Sequence, residues 1–309
     1  MTSISHRQSD ARLRATSVLT SRFVEGDLDG ALSVLDEMIA AYPERRHNHA
    51  YLRTMVLTLL GRTQEAVAEV RATVGAGGWW SRERLTEPEF EQLAAEPGYQ
   101  DAVTAMAARS DQALAAAAAA TASVREYAGV EPRAAVVALH MYGVTAEETA
   151  GIWAEAPGVA SFVPESTYLN SDGAPGWDDP GLARRDVAVA VERARAAAPG
   201  LPLLLAGGSQ GAATAMTLAA EGAFPEIRGV IAVVGACPPD AVVGPGSVPV
   251  FSIGGEADPM TLANQRAAHD ALAAAGIAAE LDEVADLPHI YPPDWAEWAD
   301  RAVDFCLGS

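Results

Sequence analysis

The most informative stretch of the sequence runs Leu201-Pro202-Leu203-Leu204-Leu205-Ala206-Gly207-Gly208-Ser209-Gln210-Gly211. Its apolar first half is typical of a buried β-strand, and the residues that follow have the spacing of an amphipathic helix. The glycines between them form the pattern G-x-S-x-G, which permits a strained strand-to-helix turn that lifts the serine oxygen above the edge of a sheet. Ser209 is therefore a candidate nucleophile, and the alternative interpretation is a structural glycine turn.

From about residue 123 onward, short apolar runs alternate with amphipathic stretches. The runs are nearly continuous in apolar character, as expected of strands covered on both faces. Besides 201–206, the predicted strands are 134–139, 159–163, 230–234, 248–253 and 279–284, and the predicted helices are about 145–155, 180–198, 210–222, 261–276 and 293–307. This alternation predicts a doubly wound, mostly parallel α/β sheet, whose ligands bind at the carboxyl ends of the strands.

A serine hydroxyl needs a base to be nucleophilic at neutral pH, and the base needs a carboxylate that orients it. Among the six histidines, His289 follows the last predicted strand, and Asp258 follows the strand before it. The alternatives are a loop-surface histidine and an ordinary turn or N-cap aspartate, with Glu256 and Asp286 as rival carboxylates. The chain order Ser209, Asp258, His289 is the order found in α/β-hydrolases.

The segment from about 134 to 307 resembles the α/β-hydrolase superfamily, specifically its carboxylesterase/phospholipase and dienelactone-hydrolase-like branch. The resemblance rests on three stretches: Gly207-Gly208-Ser209-Gln210-Gly211, Gly255-Glu256-Ala257-Asp258-Pro259 and Pro288-His289-Ile290-Tyr291-Pro292-Pro293-Asp294. It implies that Ser209 is the nucleophile, His289 the general base and then acid, and Asp258 the orienting carboxylate. It also implies an oxyanion hole built from the amide N–H groups of Gln210 and Tyr142.

The residues after the first core strand depart from that family pattern. Relatives usually carry His-Gly where this chain has His140-Met141, so the Met141 side chain is expected to narrow the acyl pocket or to shift the loop. His140 is expected to brace the loop. The nucleophile of dienelactone hydrolases proper is cysteine, whereas Ser209 stands here, and this difference favours an ester or thioester substrate.

The resemblance also suggests residues that contact the substrate. In relatives a tryptophan-bearing loop borders the substrate site, and here the loop 168–180 carries Trp177. Trp177 is expected either to line a pocket for an apolar acyl or aryl group or to anchor the next helix, with Asp178 or Asp179 as its N-cap. Met141 and Ile290 complete the predicted substrate-binding set.

Composition limits the class of protein. The 309 residues carry 21 basic and 41 acidic side chains, a net charge of −20, which disfavours nucleic acid or an anionic membrane surface as the main partner. Two cysteines in unrelated contexts, without zinc-ligand spacing, predict neither a disulfide scaffold nor a structural zinc site. A start without a signal-peptide core predicts a cytoplasmic protein. No motif calls for a metal or an organic cofactor, and Cys237 is expected to be an unreactive thiol.

The first 122 residues predict a separate, all-helical domain. Apolar stripes at 28–39 and 52–60 have helical spacing, and the turn at Gly26 is echoed at Gly61, 35 residues later. This offset is close to the tetratricopeptide period of about 34 residues, so one or two degenerate tetratricopeptide units and a plain helical bundle are both open. The alanine-rich run 114–122 is expected to join this domain to the catalytic domain, 123–309.

Three functions remain open from the sequence. The first is a serine hydrolase acting on a carboxylic ester or thioester. The second is an acyl-transfer or cyclising enzyme of a biosynthetic pathway that uses the same three residues. The third is a non-catalytic adaptor, in which the helical domain binds a partner. That domain is expected to cap the active site, form a homodimer or recruit a protein.

Overall fold

A computed structural model of the chain describes residues 6–308, with side chains from residue 11 onward. The chain divides into two compact units. Of the described residues, 6–14, 121–167 and 176–308 form one unit, and 15–120 and 168–175 form the other. The second unit therefore combines the helical region with a short segment from the α/β half of the sequence.

The elements follow one another in a simple order along the chain. The first part holds α1 (His6–Glu25), α2 (Leu28–Ala41), α3 (Arg46–Leu59), α4 (Thr63–Gly75), α5 (Arg82–Leu85) and α6 (Tyr99–Ala119), with 3-10 turns at Pro43–Arg45 and Pro88–Leu93. The second part holds β1 (Val124–Tyr127), β2 (Ala134–Leu139), α7 (Ala146–Trp153), β3 (Val159–Pro164), β4 (Leu169–Ser171), β5 (Ala174–Pro175), α8 (Pro180–Ala197), β6 (Leu203–Gly208), α9 (Gln210–Ala220), β7 (Ile227–Val233), β8 (Val250–Gly255), α10 (Leu262–Ala274), β9 (Ala279–Val284) and α11 (Trp295–Leu307).

The sheet contains seven strands in the order β1-β3-β2-β6-β7-β8-β9. Strand β1 runs antiparallel to β3, and every other neighbouring pair is parallel. The predicted α/β class with a mostly parallel sheet is therefore confirmed. Strands β2, β3, β6 and β8 are buried at every position, because helices cover both faces of the sheet.

The two faces of the sheet hold separate apolar cores. Alternate residues of β2 point to opposite faces, so that Val136 and Val137 belong to different clusters. Helices α7 and α11 cover the first face, where Trp153 and Trp295 pack edge to face with ring centroids 4.9 Å apart. Helices α8, α9 and α10 cover the second.

The helical unit repeats one local arrangement. Gly26 and Gly61 both adopt left-handed backbone angles, with φ of 74° and 72°, and each lies in the turn before a helix. Ala31 in α2 and Ala66 in α4 occupy equivalent positions five residues later, and both are fully buried. A small side chain at these positions lets α2 and α4 pack closely on their neighbours.

The segment 168–175 belongs to the helical unit, although in the sequence it lies between β3 and α8. Its strands β4 and β5 form a small antiparallel hairpin. The Ser81 N–H donates to the Asn170 carbonyl at 2.8 Å, and the Arg45 guanidinium donates to the Gly173 carbonyl at 2.8 Å. These hydrogen bonds join residues far apart in sequence, so no local pattern predicts them.

Across residues 6–308, none of the helices combines the length and the apolar character that crossing a membrane requires.

Candidate active site

Ser209 lies in a strained turn between β6 and α9. Its backbone angles are φ 51° and ψ −119°, in a region that residues other than glycine rarely adopt. The Ser209 N–H donates to the Val233 carbonyl of the neighbouring strand at 2.9 Å, which helps to fix the turn. Strain of this kind persists only where the surroundings enforce it, and it clusters at functional sites.

Two positions beside this turn require glycine, because neighbouring backbone segments leave no room for a Cβ atom. A Cβ atom on Gly207 would lie 2.4 Å from the Gly211 carbonyl carbon. A Cβ atom on Gly211 would lie 2.5 Å from the Leu139 carbonyl oxygen and 2.6 Å from that of His140. The G-x-S-x-G spacing therefore brings the start of α9 directly against the end of β2.

We expect Gly211→Ala to destabilise the α/β unit by about 3 kcal/mol, because the new methyl group overlaps backbone atoms that cannot rotate away. Urea unfolding would measure this change. Gly151→Ala is the matched control: Gly151 lies in α7 with no neighbouring atom within 4 Å of the added Cβ. Alanine there should leave stability unchanged or raise it by up to about 1 kcal/mol. Equal stabilities for the two variants would contradict the close approach of α9 to β2.

The side chains of Ser209, His289 and Asp258 form one hydrogen-bonded chain. Ser209 Oγ lies 2.8 Å from His289 Nε2, and His289 Nδ1 lies 2.7 Å from Asp258 Oδ2. The Asp258 carboxylate accepts a hydrogen bond from Nδ1–H, and this tautomer leaves the Nε2 lone pair facing the serine hydroxyl. The imidazole is 11% exposed and the carboxylate is fully buried. This arrangement can remove a proton from the serine hydroxyl.

The Asp258 carboxylate also organises its own loop. Its Oδ1 accepts the Met260 N–H at 3.0 Å, and its Oδ2 accepts the Thr261 hydroxyl. Burial alone raises the pKa of Asp258, but the hydrogen bond and charge of His289, with the bonds from Thr261 and Met260, outweigh it and lower the pKa. The turn interpretation and the orienting interpretation of Asp258 are therefore compatible, because Oδ1 binds the turn while Oδ2 binds both Thr261 and His289.

The rival carboxylates lie elsewhere. Glu256 and Asp286 are both exposed, whereas Asp258 is 1% exposed. The loops that carry Asp258 and His289 are held together, because the Ala257 N–H donates to the Leu287 carbonyl at 3.1 Å. A side chain at Gly255 would overlap that same carbonyl oxygen, which explains the glycine.

The candidate oxyanion donors emerge from adjacent strands. Leu139 of β2 pairs with Gly207 of β6, so the residues after each strand leave the sheet at the same edge. Gln210 is the first residue of α9, where N–H groups have no intrahelical acceptor. Tyr142 lies in a turn closed by the Val144 N–H donating to the Met141 carbonyl at 3.1 Å.

The three predicted substrate-binding side chains are all buried. Met141 is 4% exposed and packs against Gly208, and Ile290 is 1% exposed in the core beside α11. Trp177 is 5% exposed, and its indole N–H donates to the His140 carbonyl at 2.9 Å. Asp179 caps α8 by accepting the Leu182 N–H at 2.9 Å. Trp177 is thus buried just before α8, as an anchor would be, and it also borders a cavity beside α9.

A cavity lies beside the start of α9, between this helix and α8. Its volume is about 360 Å³, and its lining includes Trp177, Pro180, Gln210, Ala213, Leu218 and Pro238. Two larger cavities, of about 530 and 430 Å³, lie at the opposite edge of the sheet, where the strands begin. The smaller cavity includes Gln210, the residue after Ser209, whereas Ser209 and His289 are not among its lining residues.

The two thiols are poor nucleophiles. Cys237 and Cys306 are buried, and burial raises the pKa of each to about 12. Within residues 6–308, no group of three or more His, Cys, Asp or Glu side chains could hold a metal ion.

Some residues of this site were not found from the sequence. Thr261 donates to Asp258, and the Ser166 N–H donates to His140 Nε2 at 3.1 Å. The first could have been found from the spacing Asp-x-x-Thr before a helix, which is typical of a side chain that folds back on a turn. The second has no sequence signal, because 26 residues separate its partners.

The comparisons with known proteins identify similar structures only. No protein-family model and no curated protein matches this sequence. An uncharacterized protein from Bacillus cereus ATCC 10987 is 16% identical, with 95% of this chain and 98% of that chain covered and a TM-score of 0.51. Esterase PE8 is 20% identical (60% and 100% covered, TM-score 0.48), and Zea mays acyl-protein thioesterase 2 is 19% identical (60% and 99%, TM-score 0.46). The Bacillus cereus structure shares the fold, and function has to be argued from the site.

Proposed function

We propose that this protein is a serine hydrolase that cleaves a carboxylic ester or thioester through an acyl-enzyme on Ser209. The observation that carries this proposal is the unbroken hydrogen-bond chain from Ser209 Oγ through His289 to the buried Asp258 carboxylate. A serine on a strained turn at the carboxyl edge of a parallel sheet adds support.

The proposed reaction has two halves. Ser209 Oγ attacks the substrate carbonyl carbon while His289 Nε2 takes the hydroxyl proton, and the amide N–H groups of Gln210 and Tyr142 stabilise the oxyanion. The intermediate collapses, and His289 gives its proton to the departing alkoxide or thiolate. A water molecule then loses a proton to His289 and attacks the acyl carbon, which releases the carboxylic acid and restores the Ser209 hydroxyl.

The cavity beside Gln210 supports a substrate class. Its lining is mainly apolar, with Trp177, Pro180 and Leu218 among its walls. An apolar group of modest size on the ester or thioester gains free energy by leaving water there. The proposed substrates therefore carry a hydrocarbon acyl or alcohol group.

Labelling with a fluorophosphonate probe tests the proposal, because such a probe reacts with activated serines. We expect one adduct per chain, located on the peptide that carries Ser209, lost in Ser209→Ala and retained in the control Ser252→Ala. An ester and thioester panel with the same three proteins would measure turnover. A folded wild-type protein without an adduct, or an equal adduct on Ser209→Ala, would contradict the proposed nucleophile.

A further inference from the structure

Trp177 contacts the residues that follow both β2 and β6. Its backbone N–H donates to the Gln210 side-chain oxygen at 3.0 Å, and its indole N–H donates to the His140 carbonyl at 2.9 Å. Its ring also lies against the His140 imidazole, with centroids 4.5 Å apart and an interplanar angle of 30°. One buried residue, through its backbone N–H and its indole N–H, therefore bridges the two strand ends that carry the proposed oxyanion donors.

His140 is held in one orientation and one tautomer. Its Nε2 accepts the Ser166 N–H at 3.1 Å, so the ring proton resides on Nδ1. The Nδ1–H then donates to the Met141 carbonyl at 2.9 Å. His140 is fully buried, and both ring nitrogens have partners, so it is unsuited to act as a second base.

The Met141 carbonyl belongs to the same planar peptide unit as the Tyr142 N–H. Because that unit is rigid, the direction of the carbonyl fixes the direction of the N–H. The carbonyl accepts from the His140 ring and from the Val144 N–H, so two hydrogen bonds determine where the Tyr142 N–H points. His140 thus orients the Tyr142 N–H through the Met141 peptide unit.

A further hydrogen bond joins the two ends of the loop that runs from Ser166 to Gly176. The Ser166 hydroxyl donates to the Gly176 carbonyl at 2.5 Å, directly before Trp177. Ser166 therefore fixes both His140, through its N–H, and the backbone that leads into Trp177. An oxyanion hole requires donors 2.7–3.1 Å from a single oxygen. The distance between the Gln210 and Tyr142 N–H groups must therefore be kept within narrow limits.

We propose that Trp177 and His140 are positioning residues that set the two halves of the oxyanion hole. Trp177 fixes Gln210 and His140 relative to each other, and His140 orients the Tyr142 N–H. This inference rests on the proposed function, since it concerns the same reaction. It assigns to Trp177 a role through hydrogen bonds, in addition to the place of this residue in the wall of the cavity beside α9.

Trp177→Phe tests the inference, because it removes the indole N–H and keeps an aromatic ring. We expect kcat to fall about 10-fold with KM within twofold, as for the loss of an interaction made in the transition state. Inhibition by an alkyl trifluoromethyl ketone, which forms a tetrahedral adduct on Ser209, should weaken by the same factor. Gln210→Met removes the other arm of the bridge and should act similarly if Trp177→Phe fails to fold.

Trp295→Phe is the matched control. Trp295 is equally buried in the same unit, and its indole N–H meets no hydrogen-bond partner among the described residues. If the role of Trp177 were merely structural, Trp177→Phe and Trp295→Phe would both have a lower melting temperature. The inhibition constant of the trifluoromethyl ketone would then equal that of the wild type in both. Folded Trp177→Phe and Gln210→Met with wild-type kcat and inhibitor affinity, or with a raised KM alone, would overturn the inference. Absence of Ser209 labelling in the wild type would instead overturn the proposed function.

Discussion

Replacement of His289 by alanine is expected to lower kcat for ester hydrolysis by about 10⁶-fold, because the Ser209 hydroxyl then has no base. The His289 Nε2 atom lies 2.8 Å from Ser209 Oγ and forms a hydrogen bond with the serine hydroxyl. A serine hydroxyl is a weak nucleophile at neutral pH, so residual catalysis would come from the oxyanion hole and from binding alone. Steady-state kinetics on a fast-reacting aryl ester would measure the loss.

The double variant Ser209→Ala/His289→Ala sharpens this prediction. Residues that act as one unit are non-additive, so the double variant should be as slow as either single variant. His269→Ala is the control, since His269 lies in α10 and should leave kcat within twofold. Activity of His289→Ala above about 1% of wild type, or a double variant much slower than both singles, would contradict the coupling of the two side chains.

The strands and helices of the α/β unit were largely predictable because their signals are local. Apolar runs predicted β2, β3, β6, β7, β8 and β9 to within a few residues, with β2 and β9 at their observed bounds. Strand β1, Val124–Tyr127, was not found, because this short edge strand carries Arg125 and Glu126 and is mostly exposed. Its place beside β3 depends on pairing with a distant segment, which local patterns do not encode.

The candidate site divides in the same way. Ser209, Asp258 and His289 each follow a strand, so the sequence singled them out, and the structure brings their side chains into hydrogen-bond contact. The partners that hold them were harder to find. Trp177 was predicted to line a pocket or to anchor a helix, and its bond to the His140 carbonyl spans 37 residues. Such contacts depend on the packing of several loops, and no periodic pattern in the sequence predicts them.

A second large loss of kcat is expected when Asp258 is replaced by asparagine. Asparagine has the same shape, but its amide presents a donor as well as an acceptor to His289 Nδ1, at the 2.7 Å contact. The imidazole can then place its proton on Nε2, which removes the acceptor from the Ser209 hydroxyl, and an imidazolium would lose its counter-charge. We therefore expect Asp258→Asn to lower kcat about 10⁴-fold with little change in KM.

Glu256→Gln is the control for Asp258→Asn, because Glu256 is an exposed carboxylate two residues away and should leave kcat within twofold. Stability gives a second readout. The pKa of Asp258 is lowered in the folded protein, so its carboxylate stabilises the fold above its ordinary pKa, and this contribution is lost as pH falls through the folded value. The stability difference between wild type and Asp258→Asn should therefore shrink in urea unfolding at acidic pH. A larger loss of kcat in Glu256→Gln than in Asp258→Asn would assign the orienting carboxylate to Glu256.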